Sequence, residues 1–188
     1  MIIAYHIERE GSIMRIRHFR PVDLPELLEI EERAAAADGR RVYDLAAWFS
    51  DHEDESMYNV LVITDDDDDI EPWGQSGTRV EVEGEIAGYT ILQVRVDERA
   101  YHFYCRGAVR PDLRRRGAGR GLLVSALNRA RFWAADYEAE AEQEERALYF
   151  EALLPERDPG SRGLAILLEL AETDEVTDSG LRLYLRSL

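Results

Sequence analysis

The chain has 188 residues, a length that predicts one domain or one domain with a small appendage. Hydrophobic residues make up 45% of it, enough to bury a core, which excludes a disordered chain. The 39 acidic residues outnumber the 23 basic ones, all of them arginine, and the formal net charge of −16 excludes non-specific binding of nucleic acid.

The acidic excess leaves several interpretations open. A GC-rich genome explains the absence of lysine, and the surplus acids indicate either hydration in a high-salt cytoplasm or attraction of a cationic substrate. A single cysteine, Cys105, excludes an intramolecular disulfide framework and a cysteine-rich zinc module. Residues 1–13 lack the features of a signal peptide, and no apolar run reaches the roughly 20 residues that span a bilayer. We therefore expect a cytoplasmic protein with no membrane contact.

The first part of the chain predicts a strand, two helices and a second strand. Alternating residues predict a strand at 14–19, which Pro21 ends, and Asp23 stands where the N-cap of a helix over 24–37 belongs. A second helix is expected at 42–49 and a β-branched strand at 59–64. We expect residues 1–13 to be an N-terminal extension and residues 14–188 to be a single domain.

Five consecutive aspartates begin an acidic loop that we predict over 65–77. Adjacent carboxylates repel one another, which favours an exposed loop. A calcium site is the sharper alternative, but the run 65–69 lacks the spaced acids and the distal glutamate of a calcium-binding loop. We therefore expect no metal.

The remainder of the chain alternates between strands and helices. Strands are predicted at 78–82, 85–96 and 99–109, a long helix at 118–143, a strand at 147–153, a helix at 162–172 and a last strand at 180–187. The order β-α-α-β-β-β-α-β-α-β predicts an α/β (α+β) fold in which one mixed sheet carries helices on both faces.

A basic segment interrupts this acidic chain. Residues 106–131 hold eight arginines and one acid, which indicates a specific anionic ligand. A strand ends at Val109, Pro111 breaks its ladder, and the small residues 117–119 begin a helix whose first N–H groups have no intrahelical partner. Free amides, the helix dipole and neighbouring arginines together favour a phosphate site. The dinucleotide fingerprint fails because Leu122 stands at its third glycine, and the Walker loop fails because lysine is absent.

Segment 109–119 resembles the acyl-CoA motif of the GNAT superfamily of N-acyltransferases, with Arg114, Gly117 and Gly119 at its defining positions. Two further segments, 21–24 and 84–89, resemble the family's first strand-to-helix joint and its strand-turn-strand core. The resemblance covers essentially the whole chain. It implies a mixed, mostly antiparallel sheet of six to seven strands flanked by helices.

The resemblance also implies where acyl-CoA binds. Backbone amides of 115–120 would hold the pyrophosphate, and pantetheine would lie in a gap where the strand ending near Val109 diverges from the next strand. A strand amide would stabilise the tetrahedral oxyanion. The candidate cofactor-binding residues are Val109, Arg114, Arg115, Arg116, Gly117, Ala118, Gly119, Arg120 and Gly121. The implied cosubstrate is acetyl-CoA or another acyl-CoA, without a metal.

Two positions that are catalytic in many relatives differ in this chain. Leu168 stands where those relatives carry a tyrosine acid, and Phe103 stands where several carry a glutamate base. His102 and Tyr104 share one strand face and are the candidate substitutes, although a strand histidine and a packing aromatic are the commoner roles. Cys105 falls on the opposite face, where we expect a buried apolar side chain.

These observations predict an N-acyltransferase that moves an acetyl or other short acyl group directly from acyl-CoA to an amine in a ternary complex. The acceptor is expected to be a small-molecule or peptide amine, and Glu29, Glu31 and Glu32 would meet it if it is cationic; a solvated helix face is the alternative. A catalytically silent CoA-binding module is the main alternative function, and a nucleotide-binding or anion-sensing domain is a third. The sequence leaves the oligomeric state open, with a homodimer among the expectations.

Overall fold

A computed structural model describes residues 8–9, 12–52, 58–67 and 84–188. In this part of the chain, eight strands form one sheet. They are β1 (Glu8–Arg9), β2 (Ser12–His18), β3 (Val60–Asp67), β4 (Glu85–Val96), β5 (Ala100–Val109), β6 (Ala147–Pro155), β7 (Ala171–Val176) and β8 (Leu181–Ser187). Their spatial order is β1-β2-β3-β4-β5-β6-β8-β7.

The sheet is antiparallel everywhere except between β5 and β6, which pair in parallel from Ala100↔Ala147 to Arg106↔Leu153. A parallel pair needs a crossover connection, and a 26-residue helix supplies it here. The predicted mixed, mostly antiparallel fold is therefore confirmed. The described strands number eight rather than six to seven because β1, of two residues, and β7 add to the sheet at its two edges.

Helices cover both faces of the sheet. They are α1 (Leu24–Asp38), α2 (Leu45–Asp51), α3 (Ala118–Gln143) and α4 (Pro159–Leu167). On β4, Ile91 packs into the cluster with α1 and α2, whereas the next residue, Leu92, packs into the cluster with α3 and α4. Because successive strand residues point to opposite faces, α1 and α2 lie on one face and α3 and α4 on the other.

The second helix begins later than the sequence predicts, at Leu45 rather than at 42. Asp44 caps it, since its carboxylate accepts a hydrogen bond of 2.9 Å from the Ala47 N–H, as N-cap aspartates commonly do. Asp23 precedes α1 as expected, but its carboxylate accepts from the Arg20 N–H, at 2.7 Å, and caps a short 3-10 turn instead of the helix.

The helix predicted over 162–172 is shorter and lies earlier in the chain than expected. It starts at Pro159 with Asp158 as N-cap and ends at Leu167. Glu169 then adopts a φ of 56°, and the Leu170 N–H bonds back to the Ala165 carbonyl oxygen. This reversal lets the chain return as β7, which the acid-rich sequence of that segment did not indicate.

Several sequence expectations lie wholly or partly outside the described residues. They are the extension over 1–13, the acidic loop at 65–77 and the strand at 78–82. Within the described part, the backbone of residues 65–67 continues strand β3 rather than starting a loop. The assignment of a single domain to 14–188 stays a prediction.

Candidate functional site

Strands β5 and β6 separate before either of them ends. Their ladder stops at the pair Arg106↔Leu153, although β5 continues to Val109 and β6 to Pro155. Beyond that pair, β5 remains bonded only to β4, up to Gly88↔Val109. The result is a wedge-shaped opening in the sheet, which we call the strand gap, with the pair Arg106↔Leu153 at its apex.

The exposed edge of β5 presents backbone hydrogen-bonding groups to the strand gap. The Arg110 N–H donates to the Ala87 carbonyl oxygen on β4, at 2.9 Å. Because N–H and C=O groups alternate between the two edges of a strand, those of Gly107 and Val109 point towards the gap. The Val109 carbonyl oxygen accepts a hydrogen bond of 3.2 Å from the Arg114 Nε. Beyond Arg106, this edge of β5 no longer pairs with β6.

A cleft of about 340 Å³ extends from the strand gap to the start of α3. Apolar side chains of Leu122, Leu123 and Leu164 form the wall on the α3 and α4 side. Polar side chains of Thr90, on β4, and Ser161, on α4, also line the cleft. A mostly apolar concave surface with a few polar groups is the usual character of a ligand site.

The mouth of the cleft is the N-terminus of α3. The loop before it places Arg115 at φ 68° and Gly117 at φ 105°, left-handed conformations that turn successive amides towards the same side. The first intrahelical bond runs from the Gly121 N–H to the Gly117 carbonyl oxygen, and no side chain caps this end. The N–H groups of residues 118–120 therefore have no intrahelical acceptor, and together with the helix dipole they form an anion site.

Three consecutive arginines of this loop are each held by an aspartate. Arg114 donates two hydrogen bonds to Asp38, at 2.6 and 3.0 Å. Arg115 donates to Asp158 at 2.9 Å. The third pair joins the Arg116 NH1 to the Asp65 Oδ2 at 3.4 Å. The loop is thus tied to α1, to the start of α4 and to β3, and its arginines are oriented by acids of the protein.

Most of the predicted cofactor residues meet at the cleft. Seven of the nine line it: Val109, Arg114, Arg115, Arg116, Gly117, Gly119 and Arg120. The other two, Ala118 and Gly121, are buried against the sheet and do not line the cleft. Their side of α3 packs the helix onto β3 and β4, so these two residues place the helix, while the Ala118 N–H remains one of the free amides at its N-terminus.

Sequence analysis missed a buried polar network beneath the cleft. Glu31 accepts hydrogen bonds from Arg40 at 2.6 and 2.9 Å, from the Tyr43 N–H at 2.8 Å and from the Tyr89 hydroxyl at 2.9 Å. Burial raises the pKa of Tyr89, and the Glu31 carboxylate raises it further. The expectation that Glu31 meets a cationic acceptor is therefore wrong. Its spacing four residues after Leu27, on the apolar face of α1, was the available signal.

His102, the predicted base, lies outside the residues that line the cleft. Its Nδ1 is 2.6 Å from Glu151 Oε1 and its Nε2 is 3.1 Å from Asp97 Oδ2. Burial alone would lower the pKa of His102, but the hydrogen bonds to Glu151 and Asp97 reverse the balance and raise it. His102 also precedes the apex residue Arg106 by four positions, about 13 Å along an extended strand. The geometry therefore gives its role as base no support.

Tyr104 is the second catalytic candidate, and Phe103, Leu168 and Cys105 are the other positions that bear on catalysis. Tyr104 is half-buried on the α1 and α2 face, and burial raises its pKa while Arg106 and Arg95 partly offset that rise. Phe103 is fully buried, and Leu168 packs against the core on the α3 side, so neither position offers a proton. Cys105 is buried as expected; burial raises its pKa to about 12, and its Sγ lies 3.1 Å from the Thr90 hydroxyl.

Among the described residues, no group of His, Cys, Asp or Glu side chains is arranged to hold a metal ion. None of the described helices is both long and apolar enough to cross a membrane.

Comparison with known proteins identifies the fold. Residues 29–153 match the family model of the GNAT acetyltransferase family. The chain is similar to yncA of Salmonella typhimurium, solved with its cofactor acetyl-CoA (18% identity, TM-score 0.58, 93% of this chain and 92% of that one). It is also similar to the ribosomal-protein-S18-alanine N-acetyltransferase of Escherichia coli (20%, 0.51, 93% and 92%) and to Ard1 of Thermoplasma volcanium (16%, 0.56, 93% and 97%). No curated protein sequence gives a significant match.

Proposed function

Because the chain belongs to the GNAT acetyltransferase family, we propose that it transfers an acetyl group from acetyl-CoA directly to the amine of an acceptor. The observation that carries this proposal is the strand gap, which joins the uncapped N-terminus of α3 to an unpaired edge of β5. An anion site and a row of free backbone groups, connected by one apolar cleft, suit a ligand that is charged at one end and extended beyond it.

Each part of the cleft has a role in this proposal. The N–H groups of residues 118–120 bind the pyrophosphate, and the backbone groups of Gly107 and Val109 pair with pantetheine. Acetyl-CoA supplies an acyl thioester whose carbonyl carbon is attacked by the amine. The C–N bond then forms, the C–S bond breaks and CoA leaves as a thiol. A β5 N–H directed into the gap stabilises the oxyanion that develops near the apex.

Proton transfer is the step with the least support from the residues that line the cleft. The acids that line the cleft among the described residues, Asp38 and Asp158, are both paired with arginines, and the Tyr89 hydroxyl donates to Glu31. A thiolate leaves readily, since the pKa of its thiol is about 8.5, so the proton that the amine loses as the C–N bond forms can pass through solvent to the departing CoA thiolate. The same pairing of acids favours the second candidate function, a module that binds CoA without catalysing transfer.

Ligand-dependent thermal unfolding tests the cofactor site. At 100 times its Kd, acetyl-CoA should stabilise the fold by about 2.7 kcal/mol, a Tm rise of about 5–11 °C for a chain of this size. Gly119→Asp should abolish the rise because it places a carboxylate against the pyrophosphate. Gly119→Ala is the steric control, since a Cβ there would lie 3.4 Å from Leu164 Cδ1, an ordinary contact. Gly163→Asp makes the same charge change at an exposed α4 position with open space around it.

The outcomes separate the two candidate functions. Release of free CoA thiol in the presence of an amine panel supports transfer, whereas saturable binding without release supports the silent module. If millimolar acetyl-CoA leaves the wild-type Tm unchanged, both proposals fail.

A further inference from the structure

The apex of the strand gap carries a guanidinium on the face opposite the predicted cofactor. Arg106 occupies the last β5–β6 pair, and its neighbour Cys105 packs into the cluster with α3. Alternation along β5 therefore directs the Arg106 side chain to the face of α1 and α2. There its Cζ lies 3.1 Å from the centroid of the Tyr43 ring, so the guanidinium is held beside an aromatic ring at the wall of the cleft.

This guanidinium differs from the other half-buried arginines near the cleft in lacking an acid. Arg40, Arg110 and Arg114 each form an ion pair of 2.7 Å or less with a carboxylate. Within the described part of the chain, no carboxylate forms an ion pair with Arg106. In a sequence with 39 acids and 23 bases, a half-buried guanidinium at a ligand cleft that forms no ion pair with a described carboxylate points to an anion from outside the protein.

A second guanidinium extends the same surface outwards. Arg95 lies over the Tyr104 ring with its Cζ 4.2 Å from the centroid, and it too forms no ion pair with a described residue. Tyr104 is two residues before Arg106 on β5, so both side chains lie on the same face of the strand, and the Tyr104 ring also contacts Arg95. The acid on the neighbouring strand, Glu151, is held by His102 at 2.6 Å. The row Arg106–Tyr104–Arg95 therefore carries two guanidinium groups that form no ion pair with a described carboxylate.

We propose that the acceptor amine is a free amino acid whose carboxylate is bound by Arg106, with Arg95 attracting it from further out. This inference rests on the proposed function, in which acetyl-CoA occupies the α3 and α4 side of the gap. An acceptor must then reach the apex from the α1 and α2 face, where Arg106 stands. A planar guanidinium binds a carboxylate with two parallel hydrogen bonds, and this anchoring would turn the amine towards the thioester.

Matched acids and amides provide the test. CoA-saturated protein is titrated with the N-acetyl derivatives of the twenty amino acids and with their carboxamides, which mimic the product with and without its carboxylate. At least one acid should bind about 10- to 100-fold more tightly than its amide, as expected for hydrogen bonds between charged groups. Arg106→Gln should abolish this preference, and Arg106→Lys should restore part of it. Arg131→Gln, an exposed α3 arginine away from the cleft, should leave the preference unchanged.

Measurement of acetyl transfer provides an independent test. Acetyl transfer to free amino acids should exceed transfer to their amides by a similar factor, through KM, in wild type but not in Arg106→Gln. If the binding preference holds while no amine is acetylated, the carboxylate site stands and the transferase proposal fails. If amides bind or react as well as acids, or if the preference survives in Arg106→Gln while CoA binding is intact, the inference is overturned.

Discussion

The ion pair between Asp38 and Arg114 is the most direct link between the fold and the proposed cofactor loop. The Asp38 side chain is 3% exposed and the Arg114 side chain 20% exposed. Asp38→Asn keeps the shape of the side chain but removes the close countercharge of Arg114, which is left with only the longer contact of 3.9 Å to Asp158. Breaking a buried pair in this way costs about 3–5 kcal/mol, and the partial exposure of Arg114 places the expected loss at about 3 kcal/mol. For a chain of this length, the Tm should fall by about 6–12 °C.

The same substitution should weaken CoA binding as well as the fold. Without this ion pair, Arg114 and its loop gain conformational freedom. Ordering one loop residue again when CoA binds costs about 1–2 kcal/mol of conformational entropy, so the Kd for CoA should rise about tenfold. Calorimetric titration with CoA, performed well below the lowered Tm, measures this separately from stability. Arg114→Gln and the double variant complete a cycle in which the two losses should be far from additive.

An exposed ion pair gives the control for this prediction. Arg33 pairs with Asp112 at 3.0 Å, with both side chains more than 40% exposed. Arg33→Gln should therefore cost no more than about 1 kcal/mol and leave the Kd for CoA unchanged. An unchanged Tm in Asp38→Asn would contradict the stabilising role of the buried pair. A lowered Tm with an unchanged Kd would show that the pair holds α1 to the loop without positioning the loop for its ligand.

Three other predictions concern titration, reactivity and salt. Glu151 and Asp97 raise the pKa of His102 in the folded state. The stability that protonated His102 contributes is therefore complete below the unfolded pKa of about 6.5. This stability is lost as the pH rises through the higher folded pKa. The Tm difference between wild type and His102→Gln should therefore shrink above pH 6.5, and a difference that grows would contradict the ion pairs. Because burial raises the pKa of Cys105 to about 12, iodoacetamide at pH 8 should label it only in denaturant; rapid labelling of the folded protein would refute its burial. If the net charge of −16 is a salt adaptation, the Tm should rise in 1 M KCl, where the Debye length is about 3 Å; an equal or lower Tm would favour genome bias or substrate attraction.

The sequence predicted those features that depend on neighbours along the chain. Alternation and helical spacing placed most strands and the long α3 helix, because burial on one face repeats with the period of each element. The glycines and Pro111 located the loop before α3 that we propose binds the cofactor, since they mark a turn between a strand and a helix. The start of α2 and the end of α4 were misplaced because they depend on a capping aspartate and on a single residue with positive φ, Glu169.

Features that depend on contacts between distant segments were not predictable in this way. Asp38 and Arg114 are 76 residues apart in the sequence, and nothing in either segment specifies the other. Arg106 was recognised as part of the basic segment, but the lack of an ion pair with any described carboxylate depends on which strands and loops surround it. His102 was expected near the reacting atoms because of its residue type, whereas the register of β5 places it beside Glu151, which pairs with the strand at the same level as Tyr104.

Because the arginines of the loop before α3 are paired with aspartates, we expect backbone N–H groups rather than guanidinium groups to bind the phosphate. Arg114, Arg115 and Arg116 are already engaged by Asp38, Asp158 and Asp65, so a phosphate that bound their guanidinium groups would compete with acids of the protein. The N–H groups at the start of α3 have no such competitor and need no rearrangement. The backbone is therefore the better phosphate ligand, and the aspartates keep the loop in the conformation that presents it. Arg106 differs from these three arginines, because no described carboxylate forms an ion pair with it and it lines the cleft where we propose that the acceptor binds.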